Sequence, residues 1–486
     1  MRDTDSLDRL ELRRQFFLGP RFVKAYQTWQ QLPLKNGSVV CAHPDLELTQ
    51  VKNDTVEVTL LGFLLDPYNI ALQNKHILEN LAKESKQAED ITQLTHRFGG
   101  RWILIACDNH KTIVFNDPCG YRQIYYTTPE IGSVWCASQP KLLADVLQLA
   151  IDTTAQEEFV NSTYVKNARE YWWPGDGSVY QHVKHLLPNH QLELGPQKVS
   201  RFWPRQPIRS ISLDDGADAG AEFLENLTLS AAARFPLALP LTAGLDSRML
   251  LAAARKVREN IFLYTLIYPP LNRNSADIVI PAKVLGTLGL THHIIDCPSE
   301  MEPRFAQIYH SNVPMAHKAW GAIANGLLHG YPQDHVCLKA VSSEIARCRY
   351  YRYSYPKTIS GKSLAALTGF GDNGYATRAF DDWLGPARQA EQDYGYKILD
   401  LFHWEQRLGN WQAMSQLEWD IVQEEFAPYN SRALLETLLA VNMKYRGGRT
   451  GTLFTEIIKR LWPDVLCQPI NPMSVKGHLR HIAKTI

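Results

Sequence analysis

The sequence lacks any paired-cysteine motif. Its 486 residues contain eight scattered cysteines, and no two of them have the Cys-x-x-Cys spacing. Nothing therefore indicates a zinc ribbon or a disulfide scaffold. We expect most of these thiols to pack as small apolar groups.

Long apolar runs are missing as well. No stretch approaches the roughly 18 apolar residues that a membrane-spanning helix needs. The first residues, MRDTDSLDRLELRRQFF, contain no apolar segment typical of a secretory signal. We therefore predict a cytoplasmic protein with no membrane partner.

An excess of charge of either sign is also absent. The chain has 51 lysines and arginines against 50 aspartates and glutamates, a formal net charge of +1. With no global field to attract an anionic polymer, nucleic acid is disfavoured as a partner. Because 486 residues exceed what one core usually serves, we expect two or three domains, and the 45% hydrophobic content provides ample core material.

The first part of the chain is rich in strand patterns. Runs such as TVEVTLLGFLLDP, GGRWILIACDN and KTIVFND are β-branched or aromatic and are bounded by Gly, Asn, Asp and Pro. The segment NKHILENLAKES has apolar residues at helical spacing. We predict a β-rich domain over residues 1–205, and a linker over 201–215 where two prolines and a basic cluster end the strand pattern.

Beyond the linker, helical and strand patterns alternate. PLALPL, IFLYTLIY and HHIID read as strands, and amphipathic segments separate them. This alternation indicates βαβ units and a parallel sheet. We predict a second domain over residues 206–486 that is mostly helical beyond about 360, with 404–426 and 432–441 as its clearest amphipathic helices.

The turn Thr242–Ser247 follows the first of these strands and precedes a predicted helix. In a parallel sheet, ligands bind beyond the carboxyl ends of strands, where helix N-termini present unpaired N–H groups. Small residues let the backbone approach a phosphate, Thr242 and Ser247 offer hydroxyls, and Asp246 can hold Mg²⁺. The alternative is an ordinary turn in which a hydroxyl or Asp246 caps the helix.

This turn resembles the Ser-Gly-Gly-x-Asp-Ser loop of ATP pyrophosphatases, and the whole chain resembles the asparagine synthetase family with its β-lactam synthetase and lasso-peptide cyclase relatives. Upstream, RFGGRWILIACDNHKTIVFNDPCGYRQIYYT follows the pattern of class II glutamine amidotransferases, with Asp117, Gly120, Tyr125 and Tyr126 at the matching positions. The resemblance implies an α/β multidomain fold. An N-terminal α+β sandwich of the amidotransferase (Ntn-hydrolase) type precedes a doubly wound parallel-sheet ATP-pyrophosphatase domain with a helical C-terminal part.

The resemblance also implies the cofactors ATP and Mg²⁺. FLYTLIY would hold the adenine at its carboxyl end, and VCLKAVSSEIARCRYYR places Glu344 on the family's magnesium carboxylate beside Asp246. The alternative for Glu344 is a structural salt bridge with Arg347 or Arg349. The implied nucleotide contacts are Leu241, Thr242, Ala243, Gly244, Leu245, Asp246, Ser247, Leu266 and Ile267.

The sequence departs from the family pattern at several positions. Residue 2 is Arg2 instead of the cysteine that a class II glutaminase uses as its nucleophile, so we expect the sandwich to be inactive, and cleavage before Cys41 is a remote alternative. Other departures are Ala340, Ser343 and Ile470, the last of which aligns with the lysine that faces the phosphates. We name Lys476, Arg446 and Arg449 as candidate catalytic cations beside Glu344.

The function that this resemblance implies is an ATP-dependent amide-forming ligase. A substrate carboxylate would be adenylated with release of pyrophosphate, and an amine from a source other than glutamine would then displace AMP. The expected partner is a small molecule or peptide carrying both groups, and a homodimer is left open. The alternatives are a catalytically impaired relative that serves binding or assembly, and a tRNA-modifying ATP pyrophosphatase.

Overall fold

The protein is a mixed α/β chain. A computed structural model describes residues 7–168, 170–313, 315–352, 358–447 and 451–472. The strands are β1 Phe16–Gly19, β2 Gln30–Pro33, β3 Val39–Ala42, β4 Leu48–Lys52, β5 Glu57–Leu65, β6 Gly99–Cys107, β7 Thr112–Asn116, β8 Tyr125–Thr127, β9 Cys136–Ala137, β10 Val183–His185, β11 His190–Glu193, β12 Lys198–Arg201, β13 Leu237–Pro240, β14 Ile261–Ile267, β15 His293–Asp296, β16 Val336–Leu338 and β17 Glu424–Phe426. The α-helices are α1 Asn74–Glu84, α2 Asp90–Leu94, α3 Pro140–Leu147, α4 Thr153–Ala155, α5 Thr163–Asn167, α6 Leu213–Ala232, α7 Leu245–Ala253, α8 Ala276–Leu288, α9 Pro303–Asn312, α10 Lys318–Gly330, α11 Gly361–Leu367, α12 Gly374–Tyr394, α13 Ile398–Phe402, α14 Ala413–Trp419, α15 Arg432–Ala440, α16 Met443–Arg446 and α17 Thr452–Leu461.

Two six-stranded sheets form the N-terminal part. One has the strand order β10-β8-β9-β1-β3-β2 and the other β12-β11-β7-β6-β5-β4, with antiparallel pairing in both. Side chains such as Phe16, Val40, Leu61 and Ile103 meet between the sheets in one buried cluster. The predicted sandwich and its strand segments are therefore observed.

Helices cover the outer faces of this sandwich. Leu60 and Leu104 point away from the other sheet and pack with α1 and α6, which explains why β5 and β6 are buried along their whole length and read as continuous apolar runs. Helix α6 begins after Ser212, whose hydroxyl accepts a hydrogen bond from the backbone N–H of Asp215 at 3.1 Å. The core cluster that contains Leu60 continues into the second part of the chain without a break.

A five-stranded parallel sheet forms the centre of the second part. Its order is β15-β14-β13-β16-β17, and all four strand pairs are parallel. Leu237 and Leu239 pack on one face with α6, α7 and α17, whereas Ala238 and Tyr264 pack on the other with α9 and α10. Helices on both faces make this the doubly wound arrangement that the βαβ pattern predicts.

The region beyond residue 360 is mostly helical, as expected, with two differences. The predicted helix over 404–426 ends at Trp419, and residues Glu424–Phe426 instead form β17 at the sheet edge. Residues His403–Gln412 form a π-helix inside the same segment. Within the described ranges, no helix combines the length and apolar content needed to cross a membrane.

A buried charge cluster joins the sandwich to the parallel sheet. Both terminal nitrogens of Arg101 on β6 donate to Asp420, one of them at 2.8 Å, and Arg122 donates to Glu424 on β17, also at 2.8 Å. The Nε of Arg14 lies 3.1 Å from the other oxygen of Glu424. Burial acts to raise the pKa of Glu424, but the three arginines lower it to about 2. Glu424 is therefore ionised at neutral pH, whereas burial raises the pKa of Asp420 against the opposing effect of Arg101 and Arg122.

Replacing Asp420 tests how much this cluster holds the two parts together. In Asp420→Ala, Arg101 and Arg122 lose a buried partner, and we expect the free energy of unfolding in urea to fall by about 3–5 kcal/mol. The exposed pair Arg273–Asp296 is the control, and Asp296→Ala should cost less than about 1 kcal/mol. Equal losses in the two variants would show that the buried cluster has no special weight.

Candidate functional site

A cavity of about 600 Å³ lies beyond the carboxyl ends of β13, β14 and β16. From β13 the strand order extends in one direction through β14 and β15, and in the other direction through β16 and β17. The order therefore reverses between β13 and β16. Open α/β sheets bind ligands in the crevice at such a point. The volume is in the range of small-ligand pockets.

The turn after β13 borders this cavity through Leu241, Thr242 and Ser247. Two hydrogen bonds within the turn stabilise it. The backbone N–H of Thr242 donates to Ser247 Oγ at 3.2 Å, and that of Gly244 donates to Thr242 Oγ1 at 3.1 Å. The N–H of Ala243 donates to Asp277 Oδ1 at 3.0 Å. The N-cap residue of α7 is Gly244, which has no side chain, and the hydroxyl of Thr242 accepts from its N–H, so the alternative of a hydroxyl-capped turn stays open.

Asp246 lies in the first turn of α7 and is held by two partners. Arg347 Nη1 donates to both carboxylate oxygens, at 2.8 and 2.6 Å, and Ser343 Oγ donates to Oδ1 at 2.5 Å. The expected alternative for Glu344 is a salt bridge with Arg347 or Arg349. Among the described residues Arg347 forms a salt bridge with Asp246, and neither arginine forms one with Glu344, although both lower its pKa through their charges.

Glu344 has the second carboxylate of the site. Its Oε2 is buried and has no hydrogen-bond partner among the described residues. Burial and the nearby charge of Asp246 raise the pKa of Glu344, an effect that Arg347 and Arg349 only partly offset. An unpartnered carboxylate oxygen beside a second carboxylate suits a divalent cation that keeps several water or phosphate ligands. In the described ranges, His, Cys, Asp and Glu form no cluster of three or more that could hold a metal alone.

The sandwich supports the segment that carries Glu344. Ser342 adopts a left-handed backbone conformation with φ of 77°, which is unusual for a residue other than glycine. Its hydroxyl lies 2.6 Å from the phenol oxygen of Tyr121, a residue of the turn after β7. This contact was not expected from the sequence, because the two residues are 221 positions apart.

The predicted nucleotide residues divide into two groups. Leu241, Thr242, Ser247 and Leu266 line the cavity. Ala243 and Leu245 are buried in the core beneath the turn, and the carbonyl of Ile267 accepts a hydrogen bond from the N–H of Cys297 at 2.8 Å. The remaining two, Gly244 and Asp246, belong to the turn but are not among the residues that line the cavity. The first group therefore faces the cavity, and the other residues shape the turn and the strand end.

Of the three candidate cations, Arg446 is the one that the structure describes. Arg446 is buried, donates to the carbonyl of Ala346 at 3.1 Å, and forms a salt bridge with Asp400 at 3.3 Å. These contacts give it a structural position outside the cavity lining, which corrects its assignment as a phosphate-facing cation. Lys476 and Arg449 lie outside the described residues.

Sequence reasoning missed Lys339 and three tryptophans of the cavity wall. Lys339 follows β16 directly, lies 3.8 Å from the ring centre of Trp419, and donates to Glu425 Oε1 at 2.7 Å. Trp320 and Trp411 also line the cavity. The position of Lys339 after a predicted strand could have marked it, whereas the tryptophans come from distant helical segments and gave no local signal.

The cysteines of the sandwich have no activated thiol. Cys41, Cys107, Cys119 and Cys136 are buried, and burial raises the pKa of each, that of Cys107 to about 11. A nucleophilic cysteine needs the opposite shift. Cleavage before Cys41 would also remove β1, which pairs with both β3 and β9.

No protein-family model and no curated protein sequence matches the chain. Solved structures that are similar to it include an allosteric regulatory enzyme of purine biosynthesis, at 12% identity, covering 62% of this chain and 72% of that one, with a TM-score of 0.25. A glutamine phosphoribosylpyrophosphate amidotransferase from B. subtilis, complexed with ADP and GMP, is 10% identical over 60% of this chain and 86% of its own, with a TM-score of 0.24. A glutamine-dependent NAD⁺ synthetase from Acinetobacter baumannii, in complex with ADP, is 11% identical over 50% and 61%, with a TM-score of 0.19. TM-scores this low do not establish the fold or the function of this chain.

The contact between Arg347 and Asp246 generates a prediction about Mg²⁺. In Arg347→Met, two neighbouring carboxylates lose their shared cation, and we expect a loss of about 3 kcal/mol in the free energy of unfolding. Millimolar Mg²⁺ should restore part of that loss, because the ion no longer competes with a guanidinium for Asp246. The control is Arg273→Met, at an exposed ion pair. If Mg²⁺ changes the free energy of unfolding equally in the wild type, Arg347→Met and Arg273→Met, the two carboxylates are not a cation site.

Proposed function

We propose that the protein is an ATP-dependent ligase that adenylates a substrate carboxylate and forms an amide with an amine from a source other than glutamine. The observation that carries the proposal is the cavity at the strand-order reversal, bordered by the turn Thr242–Ser247. The resemblance of this turn to the ATP-pyrophosphatase loop supports ATP as the ligand.

ATP would lie with its phosphates against the turn and its base toward the end of β14. Thr242 and Ser247 offer hydroxyls there, and Leu266 offers an apolar wall and main-chain groups. Helix α7 begins at Leu245 and directs its first N–H groups at the same place. These features favour a polyphosphate over a neutral ligand.

Charge neutralisation would come from both sides of the turn. Asp246 and Glu344 would hold Mg²⁺, which supplies positive charge to the phosphate oxygens during adenylation. For this, Arg347 has to release at least one oxygen of Asp246. Its guanidinium would then be free to contact the phosphates, while Lys339 approaches from the end of β16.

The reaction would proceed in two displacements. An oxygen of the substrate carboxylate attacks the α-phosphorus, forming an acyl-adenylate as the bond to pyrophosphate breaks. The substrate amine then attacks the acyl carbon, the amide bond forms, AMP leaves, and the amine loses a proton. The buried thiols of the sandwich, with their raised pKa values, support an amine source other than glutamine.

A second candidate function is a binding or assembly protein that has lost catalysis. The observation in its favour is the saturation of Asp246, whose two oxygens accept three hydrogen bonds from Arg347 and Ser343. A carboxylate bound in this way is a weaker metal ligand than a free one.

Exchange of labelled pyrophosphate into ATP separates the two candidates. The full chain is incubated with Mg-ATP and panels of carboxylates, and ATP labelled at the α-phosphate reports whether AMP or ADP forms. We expect exchange with at least one panel, AMP as the product, and a loss of about 100-fold or more in Asp246→Asn, with Asp296→Asn as the matched surface control. If ATP binds but no panel of carboxylates gives pyrophosphate exchange or AMP, the result would favour a binding or assembly protein.

A further inference from the structure

A second cavity, of about 550 Å³, lies where three parts of the chain meet. The sandwich contributes Thr92 and His96, the linker contributes Arg205 and Arg209, and α15 begins at Arg432 on its inner wall. None of its lining residues lines the cavity beside the turn Thr242–Ser247. The two cavities are therefore separate sites.

Arg432 is the most unusual residue of this second cavity. Its side chain is almost completely buried, at 1% exposure, and only its Nε has a hydrogen bond, to Asn189 Oδ1 at 3.0 Å. Both terminal nitrogens are buried without an acceptor among the described residues. The guanidinium carbon lies 4.7 Å from the ring centre of Phe202, a cation–π contact that provides no hydrogen-bond acceptor. Leaving charged N–H groups without an acceptor in the interior is unfavourable, so the two terminal nitrogens indicate room for an acceptor.

Nearby acidic groups do not supply that acceptor. Asp117 is close enough to interact with Arg432 through its charge, but its oxygens accept from the backbone N–H of Tyr121 at 2.9 Å and of Arg122 at 2.8 Å. Glu436 lines the cavity and is paired with His96 at 2.8 Å. Burial lowers the pKa of Arg432 to about 10, so the guanidinium stays charged at neutral pH.

The rest of the lining is basic and aromatic. Arg205 uses Nε and Nη2 for bonds to the carbonyl of Phe202 and the hydroxyl of Thr92, at 2.8 and 2.7 Å, which hold its guanidinium at the cavity. Arg209 is exposed at the same opening and has no hydrogen bond or ion pair within the described ranges. Three arginines and one glutamate, Glu436, therefore line the cavity, and Glu436 already pairs with His96. This excess of positive charge suits an anion.

We propose that this cavity is a binding site for a small anionic molecule that carries a phosphate or carboxylate group. Arg432 contacts the anionic group from the inner wall, and Arg205 and Arg209 contact it from the opening. The rings of Phe202, Trp203 and Tyr396 provide a wall for the apolar part of the molecule. Because the sandwich, the linker and α15 all border the site, a bound anion stabilises the contact between the two halves of the chain.

Thermal unfolding and calorimetric titration of the full chain test the site directly. The probes are inorganic phosphate and citrate, each compared with NaCl at the same ionic strength and without nucleotide. The variants are Arg432→Met, Arg205→Gln, and the double variant Arg205→Gln with Arg209→Gln. Arg21→Gln removes one exposed charge elsewhere and is the matched control.

We expect one or both probes to raise the unfolding temperature of the wild type and of the control more than NaCl does. Arg205→Gln should weaken binding at least tenfold, and Arg432→Met should abolish it; if that variant does not fold, the double variant takes its place. A response to phosphate alone or to citrate alone identifies the preferred group. Equal effects of NaCl and both probes, or unchanged affinity in the folded variants, would overturn the proposal. The response to Mg-ATP should be the same in Arg205→Gln and wild type, so this test is independent of the proposed ligase function.

Discussion

The contact between the sandwich and the parallel sheet contains five charged side chains, those of Arg14, Arg101, Arg122, Asp420 and Glu424. They fix β17 at the edge of the parallel sheet against β6 of the sandwich. The next residue of β17, Glu425, holds Lys339 at the proposed nucleotide cavity. The same short strand therefore joins the two halves and positions a cation of the site. Isolated charges in the interior are costly, but here each has an opposite partner, so the cluster gives the interface one geometry.

The sandwich contributes to the site although its cysteines are not activated. Tyr121 contacts Ser342, the next residue Ser343 donates to Asp246, and Glu344 is close enough to Asp246 for their charges to interact. The sandwich therefore has a structural role at the proposed site: it supports the segment that contains the second carboxylate. The Asp246–Arg347 contact is the other controlling feature, since at the proposed site Mg²⁺ would have to compete with the guanidinium for the same oxygens.

The sequence was informative where structure follows from local pattern. Continuous apolar runs predicted β5 and β6, helical spacing predicted α1, and strand–helix alternation predicted the parallel sheet. It failed at β17, because two of the three residues Glu424–Phe426 are glutamates, whose partners are arginines and a lysine from distant segments. The partners of Asp246 and Arg446, and the tryptophans of the cavity wall, could not be predicted for the same reason. They depend on contacts between residues about 50 to more than 150 positions apart.

The central claim is that ATP binds at the turn Thr242–Ser247. Its most direct test is the unfolding free energy of the wild type and of Asp246→Ala, with and without millimolar Mg-ATP. A nucleotide at 100 times its dissociation constant adds about 2.7 kcal/mol to the folded state. The account predicts a stabilisation of this order in the wild type and its loss in the variant. No stabilisation of the wild type, confirmed by calorimetry, would contradict the account.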